Sequence, residues 1–342
     1  MAVPHNLVSR DAQIALREFS DQFAEALALG DFSQWATMLG YDHVSSSLST
    51  TFPVPISAAG YKRRDGDDKL RRLFERSLSM KTEEWVDGVE ELARIVEAPD
   101  FIGWMGEPAR IATEGMRHPN VLVADVLASN PLLDFYRFES SGGSVASTIR
   151  LFASNHPFNV LDSSVGTFDN DIDYSAGVID AALVKTVREH FRSIKGANGR
   201  PLGLRLSHFL VTAPWEEEAL DFFERDTVIQ AIQNVAGSEN VGGVTQRNRF
   251  TQVQVEVADE LTGELPSGTS PDDDTIYAFG SRPDGSRPSP WIVQRTGSPE
   301  EIRYDKDSEK YKDTGKIGVK YVEEFGVAAA LPHAVLRINL SP

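Results

Sequence analysis

The sequence predicts a mixed α+β fold, and three observations predict it. An apolar stripe at helical spacing runs from Gly106 to Asn130 (GEPARIATEGMRHPNVLVADVLASN), with a proline in its middle. From Pro131 onward the texture changes to short strand-like runs punctuated by glycine turns, with helices set between them. Between Thr51 and Trp85 the chain holds too few apolar residues to build a core of its own. With 342 residues, 41% hydrophobic and 25% charged, the chain has the composition of a globular protein and ample length for a core.

Composition excludes several classes of function. No apolar run approaches the roughly 18–20 residues that span a bilayer, and MAVPHNLVSRDAQ lacks the charged and apolar regions of a secretory signal. The absence of cysteine excludes disulfide frameworks, thiolate metal sites and cysteine nucleophiles. A net charge of −17 argues against a surface that grips nucleic acid, which needs clustered Lys and Arg. It leaves open a protein that encloses nucleic acid without holding it. The charge is uneven: YKRRDGDDKLRRLFER, from Tyr61 to Arg76, is markedly basic in an acidic chain. Such asymmetry suits self-association, a basic element of one copy lying on an acidic face of the next. A solvated charged face is the plainer alternative.

Taken in order, Ser9 to Leu29 reads as an amphipathic helix on Ile14, Leu16, Phe19, Phe23, Ala24 and Leu27, ending near Gly30. SSSLSTT is an extended connector. Thr51 to Trp85 is a projecting hairpin stabilised from outside the chain. Val86 to Ala98 resumes helical spacing. In the Gly106–Asn130 segment Pro108 suits a first helical turn, whereas Pro119 costs about 3 kcal/mol unless the helix bends or restarts. One bent helix and two helices joined at His118-Pro119 fit the pattern equally well.

Further on, Ser141 to Ser144 (SGGS) is a turn, and Ser175 to Ile194 is a helix closed by Gly196. Leu204 to Ala213 is a buried strand. Pro214 opens a helix whose Glu216, Glu217 and Glu218 sit where the helix dipole favours anions. Phe250 to Val257 alternates as a strand, further strands fall near Ile276 to Phe279 and Trp291 to Gln294, and two strands around a small-residue turn close the chain.

Motifs of catalysis are missing. There is no GxGxxG, GxxxxGK[ST], HExxH or GxSxG. The seven histidines are scattered, and His190 and His208 read as packing residues. Asp162, Asp169, Asp171 and Asp173, with Asn170, form an acidic loop that lacks the Gly and distal Glu of a calcium loop. Asp272 to Asp274 read as a solvated tip. Ser144, His156 and Asp162 lack the strained nucleophile turn of a triad. No catalytic, cofactor-binding or metal residue is assigned.

The order of several segments carries a resemblance. MKTEEWVDGVEELARIVEAPD, GEPARIATEGMRHPNVLVADVL, LFASNHPFNVLD, FDNDIDYSAGVIDAALVKTVREHF, GRPLGLRLSHFLVTAPWEEEAL and GVKYVEEFGVAAALPHAVLRINL together resemble the Mu-like phage major head subunit family. The resemblance implies the Hong Kong 97-type (HK97-like) capsid fold. It divides the chain into an N-terminal arm (1–50), an extended loop (51–90), a peripheral domain with a long spine helix (91–130), an axial domain (131–285) and peripheral strands with a closing segment (286–342).

It also implies a non-enzymatic shell subunit of a tailed phage, without cofactor, that assembles with itself into pentamers and hexamers in the host cytoplasm. The resulting virion head encloses double-stranded DNA without reading its sequence. A separate scaffolding protein is expected, because no coiled-coil prefix precedes the arm, with a portal and a decoration protein as further partners. Lys62, Arg63, Arg64, Lys69, Arg71, Arg72 and Arg76 are the inter-subunit residues of the loop, and Pro119 is the bend of the spine. The alternatives are an encapsulin-like nanocompartment shell and a soluble α/β metal-dependent enzyme built on His156 and the Asp162 to Asp173 loop.

Overall fold

In a computed structural model, residues 5–29, 34–55, 75–98, 103–104, 106–133, 135–136, 149–160, 162–224, 227–231, 243–247, 250 and 252–340 are described. The chain opens on helix α1 (His5–Leu29), which buries Leu16, Phe19 and Phe23 and leaves Ile14 exposed. A short helix α2 (Trp35–Leu39) and strands β1 (Tyr41–Val44), β2 (Ser49–Pro55), β3 (Glu75–Lys81) and β4 (Glu83–Leu92) follow. One turn of helix, α3 (Ala93–Val96), precedes the long helix α4 (Glu107–Ser129). The strand pairs β5 (Leu132–Leu133) with β6 (Ile149–Arg150), and β7 (His156–Pro157) with β8 (Thr167–Phe168), come next.

The second half holds β9 (Asp171–Tyr174), α5 (Ala181–Ser193), β10 (Arg205–Val211), α6 (Glu216–Glu224), β11 (Thr227–Ala231), β12 (Gly243–Arg247) and β13 (Gln254–Val257). Strands β14 (Thr275–Ser281), β15 (Trp291–Arg295) and β16 (Glu300–Tyr304), helix α7 (Glu309–Thr314), and strands β17 (Lys316–Ala329) and β18 (Val335–Leu340) complete it. Among the described residues helices accompany sheets whose pairings are mostly antiparallel, which is the α+β class.

The chain divides into two compact units. Unit 1 comprises 1–50, 80–123 and 293–327, and unit 2 comprises 51–79, 124–292 and 328–342. In unit 1 the organising strand is β17, paired antiparallel with β16 and with the whole length of β4, while β15 and β1 extend the sheet. Phe19 and Phe23 of α1 pack with Ile111 and Ala112 of α4 on Val319 and Tyr321 of β17. Phe23 and Tyr321 stack with centroids 3.6 Å apart.

Unit 2 is built on the sheet β13-β10-β14-β18-β9. Leu183, Val187 and Phe191 of α5 fill its core with Phe209, Ala278 and Leu336. Asp180 caps α5 by accepting from the Leu183 N–H at 2.8 Å, so the helix starts there and not at Ser175. The ring of Phe191 lies against Gly280, where an added Cβ would come within 2.6 Å of it.

One further expectation changes, and an open alternative closes. Val86 to Ala98 is strand to Leu92, because β17 supplies a ten-residue antiparallel partner, Lys316 to Phe325, that outweighs the helical spacing. The pairing is close at Gly88, where a Cβ would stand 2.4 Å from the Val319 carbonyl oxygen. The 106–130 stretch is one helix, with Pro119 inside it, and Asn130 ends it at φ 47°. There the Asn130 side chain accepts from the Phe152 N–H at 2.8 Å and donates to the Phe152 carbonyl at 3.1 Å. The expected turn at Ser141 to Ser144 lies outside the described residues.

Candidate functional site

Strands β2 and β3 form a ribbon that pairs with no other strand among the described residues. A two-stranded ribbon alone is marginal in water. Its connection, residues 56–74, contains Lys62, Arg63, Arg64, Lys69, Arg71 and Arg72, which lie outside the described residues. Arg76 stands on β3, described in its backbone. Pro119 sits on α4 beside Asn120, whose side-chain oxygen accepts from the Ala36 N–H at 3.1 Å and so ties α2 to the helix.

The acidic loop resolves into structural bonds. Asp171 takes Arg337 in a two-pronged ion pair, with Nε at 2.8 Å, and Asp173 accepts from Asn339 at 2.9 Å. Asp162 holds the Ser164 N–H at 2.9 Å and its hydroxyl at 2.6 Å, and these bonds lower its pKa. Among the described residues no three His, Asp or Glu side chains are grouped to hold a metal ion, and no helix is long and apolar enough to cross a membrane.

His156 joins a buried ring cluster in unit 2. It stacks on Phe168 at 5.2 Å, and Phe168 meets His333 at 4.9 Å. The His156 Nε2–H donates to the Leu151 carbonyl at 3.1 Å. Tyr136 donates its hydroxyl to the Pro157 carbonyl, so at 3.2 Å the His333 Nε2–H donates to the tyrosine oxygen. Burial lowers His156 to about 4 and, with the neighbouring His156, lowers His333 to about 3. Both are neutral at physiological pH. They are buried core groups, each hydrogen-bonded through Nε2, while His156 Nδ1 has no hydrogen-bond partner among the described residues.

One feature with room for a ligand is a cavity of about 560 Å³ within unit 1. Its floor is the β4–β17 pair. Trp85 faces Glu323 directly across the strands, and Asp87 faces Tyr321. Its walls come from α1, through Phe23 and Leu27, and from α4, through Ile111, Gly115, Met116 and His118. Pro119 has no N–H, so the Gly115 carbonyl one turn earlier has no helical donor. A Cβ at Gly115 would meet nothing within 4 Å.

Three polar groups there stand without a direct hydrogen bond among the described residues. Trp85 Nε1 and His118 Nε2 are buried and unpartnered, their rings 4.1 Å apart. Glu323 is the third, and burial pushes its carboxyl up to about 7 although Arg295 partly opposes the shift. Arg295 is bound to Asp42 through Nε at 3.0 Å and Nη2 at 2.9 Å. Burial also lowers His118 to about 4. Nothing in the sequence marked this site, whose residues lie on separate segments of the chain.

No protein-family profile and no curated protein matches the chain. Among solved structures it is similar to a chain in the procapsid of bacteriophage JBD30, at 11% identity and TM-score 0.49, over 98% of this chain and 76% of that one. It is similar to a capsid chain of the cyanophage P-SCSP1u, at 11% identity and TM-score 0.49, over 88% and 86%. It is also similar to a chain of the holo-SrpI encapsulin complex from Synechococcus elongatus, at 9% identity and TM-score 0.46, over 93% and 95%. These are likenesses of chain path at low identity, and no residue role is carried over from them.

Proposed function

We propose that the chain is the major capsid subunit of a tailed phage or a prophage-derived particle, of the Mu-like head subunit type. The observation that carries the reading is the lone β2–β3 ribbon, whose connection concentrates six basic residues in a chain of net charge −17. A ribbon of this kind gains stability when it lies on something else, and its charge suits the acidic surface of another copy. The long α4 helix and the ordered sequence segments of the head-subunit resemblance support the same reading.

In this reading residues 1–50 are the arm, 51–90 the extended loop, 91–130 the spine region, 131–285 the axial domain and 286–342 the closing strands. Subunits form pentamers and hexamers through head-to-tail interfaces that close into rings. Each contact is weak, and each subunit touches several neighbours, so effective concentration multiplies modest affinities. The acidic balance leaves the enclosed DNA loosely held. The scaffolding, portal and decoration proteins, assembly in the host cytoplasm and a place in the virion follow from this assignment.

Reversing the loop charges tests it. Lys62→Glu, Arg63→Glu, Arg64→Glu, Lys69→Glu, Arg71→Glu and Arg72→Glu together should abolish shell formation while the circular dichroism of the subunit stays unchanged. Normal particles from that variant would refute the proposed role of the loop.

A further inference from the structure

The β4–β17 floor of the unit 1 cavity places a carboxylate among aromatic rings. Alternation along β17 puts Tyr321, Glu323 and Phe325 on one face, and antiparallel register sets Trp85 opposite Glu323. His118 closes the top, 4.1 Å from Trp85 and 5.1 Å from Phe325 between ring centroids. Phe23 stacks on Tyr321 at 3.6 Å.

The charges around this box are one-sided. Asp87 on β4, Glu301 on β16, Glu323 on β17 and Glu114 on α4 line the cavity, and Arg295 on β15 is the one cation among the lining residues. Arg295 is ion-paired with Asp42 and acts on Glu323 through its charge, without a direct bond to it among the described residues. Asp87 has Arg110 at 3.2 Å, and Glu301 pairs with Arg303 and accepts from the Tyr321 hydroxyl at 3.1 Å. Glu323 has no such direct partner among the described residues. Aromatic faces and an unpaired carboxylate in a half-buried hollow attract a cation and disfavour an anion.

We propose that this cavity is a binding site for a small organic cation, an ammonium group on an apolar body, with Glu323 as its counter-ion and Trp85, Tyr321 and Phe325 as its aromatic walls. The apolar body lies along Phe23, Leu27, Ile111 and Met116. The volume of about 560 Å³ falls in the range of small-molecule pockets. The ammonium N–H groups have an acceptor in the Glu323 carboxylate. His118 is neutral near neutral pH and does not repel the ligand. Ionisation of Glu323 adds the counter-charge to the bound cation, so affinity rises with pH up to about 7 and levels above it.

Calorimetric titration of the full chain with 2-phenylethylamine, and with its neutral counterpart 2-phenylethanol, tests the site. The amine should bind saturably, about tenfold or more tighter than the alcohol, and quench Trp85 emission. Between about pH 8 and about pH 6 its affinity should fall by about tenfold as Glu323 takes up a proton. Glu323→Gln should remove both the preference and the pH dependence while leaving the melting temperature and alcohol binding in place. Should that variant unfold, Glu323→Asp, which keeps the charge, should retain the preference for the amine. Absence of saturable amine binding, equal affinity for amine and alcohol, or an undiminished preference in Glu323→Gln would overturn the proposal.

Discussion

Strand β14 of unit 2 is buried at six successive residues, Thr275 to Gly280, whereas β17 of unit 1 turns half-buried Glu323 toward a hollow. Each strand lies within a five-stranded sheet with helices nearby. In unit 2 the helix face fits the sheet closely enough for Phe191 to rest on a glycine, and the core cluster takes in side chains from α5, β10, β14 and β18. In unit 1 the two long helices meet the sheet through Phe19, Phe23, Ile111 and Ala112, and space remains beyond them. Close packing makes a core sensitive to single atoms, and a hollow makes it tolerant.

Phe191→Ala should show the largest effect, a loss of about 3–5 kcal/mol in denaturant unfolding, because its ring is fully buried in a core with no room to relax. A loss under about 1 kcal/mol would mean that unit 2 is packed as loosely as unit 1.

Acid should separate the units next. Burial lowers His156 and His190 to about 4, lowers His333 further and lowers His208, all in unit 2, against His118 alone in unit 1 among the described residues. A histidine depressed in the folded state binds its proton more readily when unfolded. Stability therefore holds above the unfolded value of about 6.5 and falls as pH drops from there toward about 4, by up to about 1.4 kcal/mol per pH unit for each of the buried His156, His190 and His333. Hydrogen exchange at about pH 5 should show protection lost in unit 2 before unit 1. The reverse order would break the comparison.

Pro119→Ala should stabilise α4 by roughly 1–3 kcal/mol, since it restores a helical hydrogen bond to the Gly115 carbonyl. If the proline bends a spine helix to fit a curved wall, particle diameter or yield should change as well. Unchanged particles would leave Pro119 as a tolerated helix residue. Gly115→Ala should have the smallest effect, a gain of up to about 1 kcal/mol by thermal unfolding, because its Cβ enters open space. The same added methyl at Gly280 of unit 2 would strike Phe191.

The elements legible in the sequence were those whose signals are local. Helix α1 follows from the spacing of Leu16, Phe19 and Phe23, and β14 from its apolar run. The α4 segment was legible as a helix, but whether Pro119 divides it depends on packing around the helix, which no spacing records. Strand β4 is disguised in the sequence because Val86, Val89 and Leu92 satisfy a helical period by chance, while the partner that makes them a strand lies more than 200 residues away. The start of α5 was set by one carboxylate, Asp180, that competes for the backbone. The cavity was illegible for a similar reason: Trp85, His118 and Glu323 lie on three separate segments, and only the fold gathers them.

Electron microscopy of the purified full chain, with the nucleic acid protected from nuclease measured on the same sample, tests the central claim most directly. Rings of five and six subunits closing into shells, with protected double-stranded DNA in particles taken from the native source, are the predicted result. A monomer at every concentration, with neither rings nor shells, would contradict it.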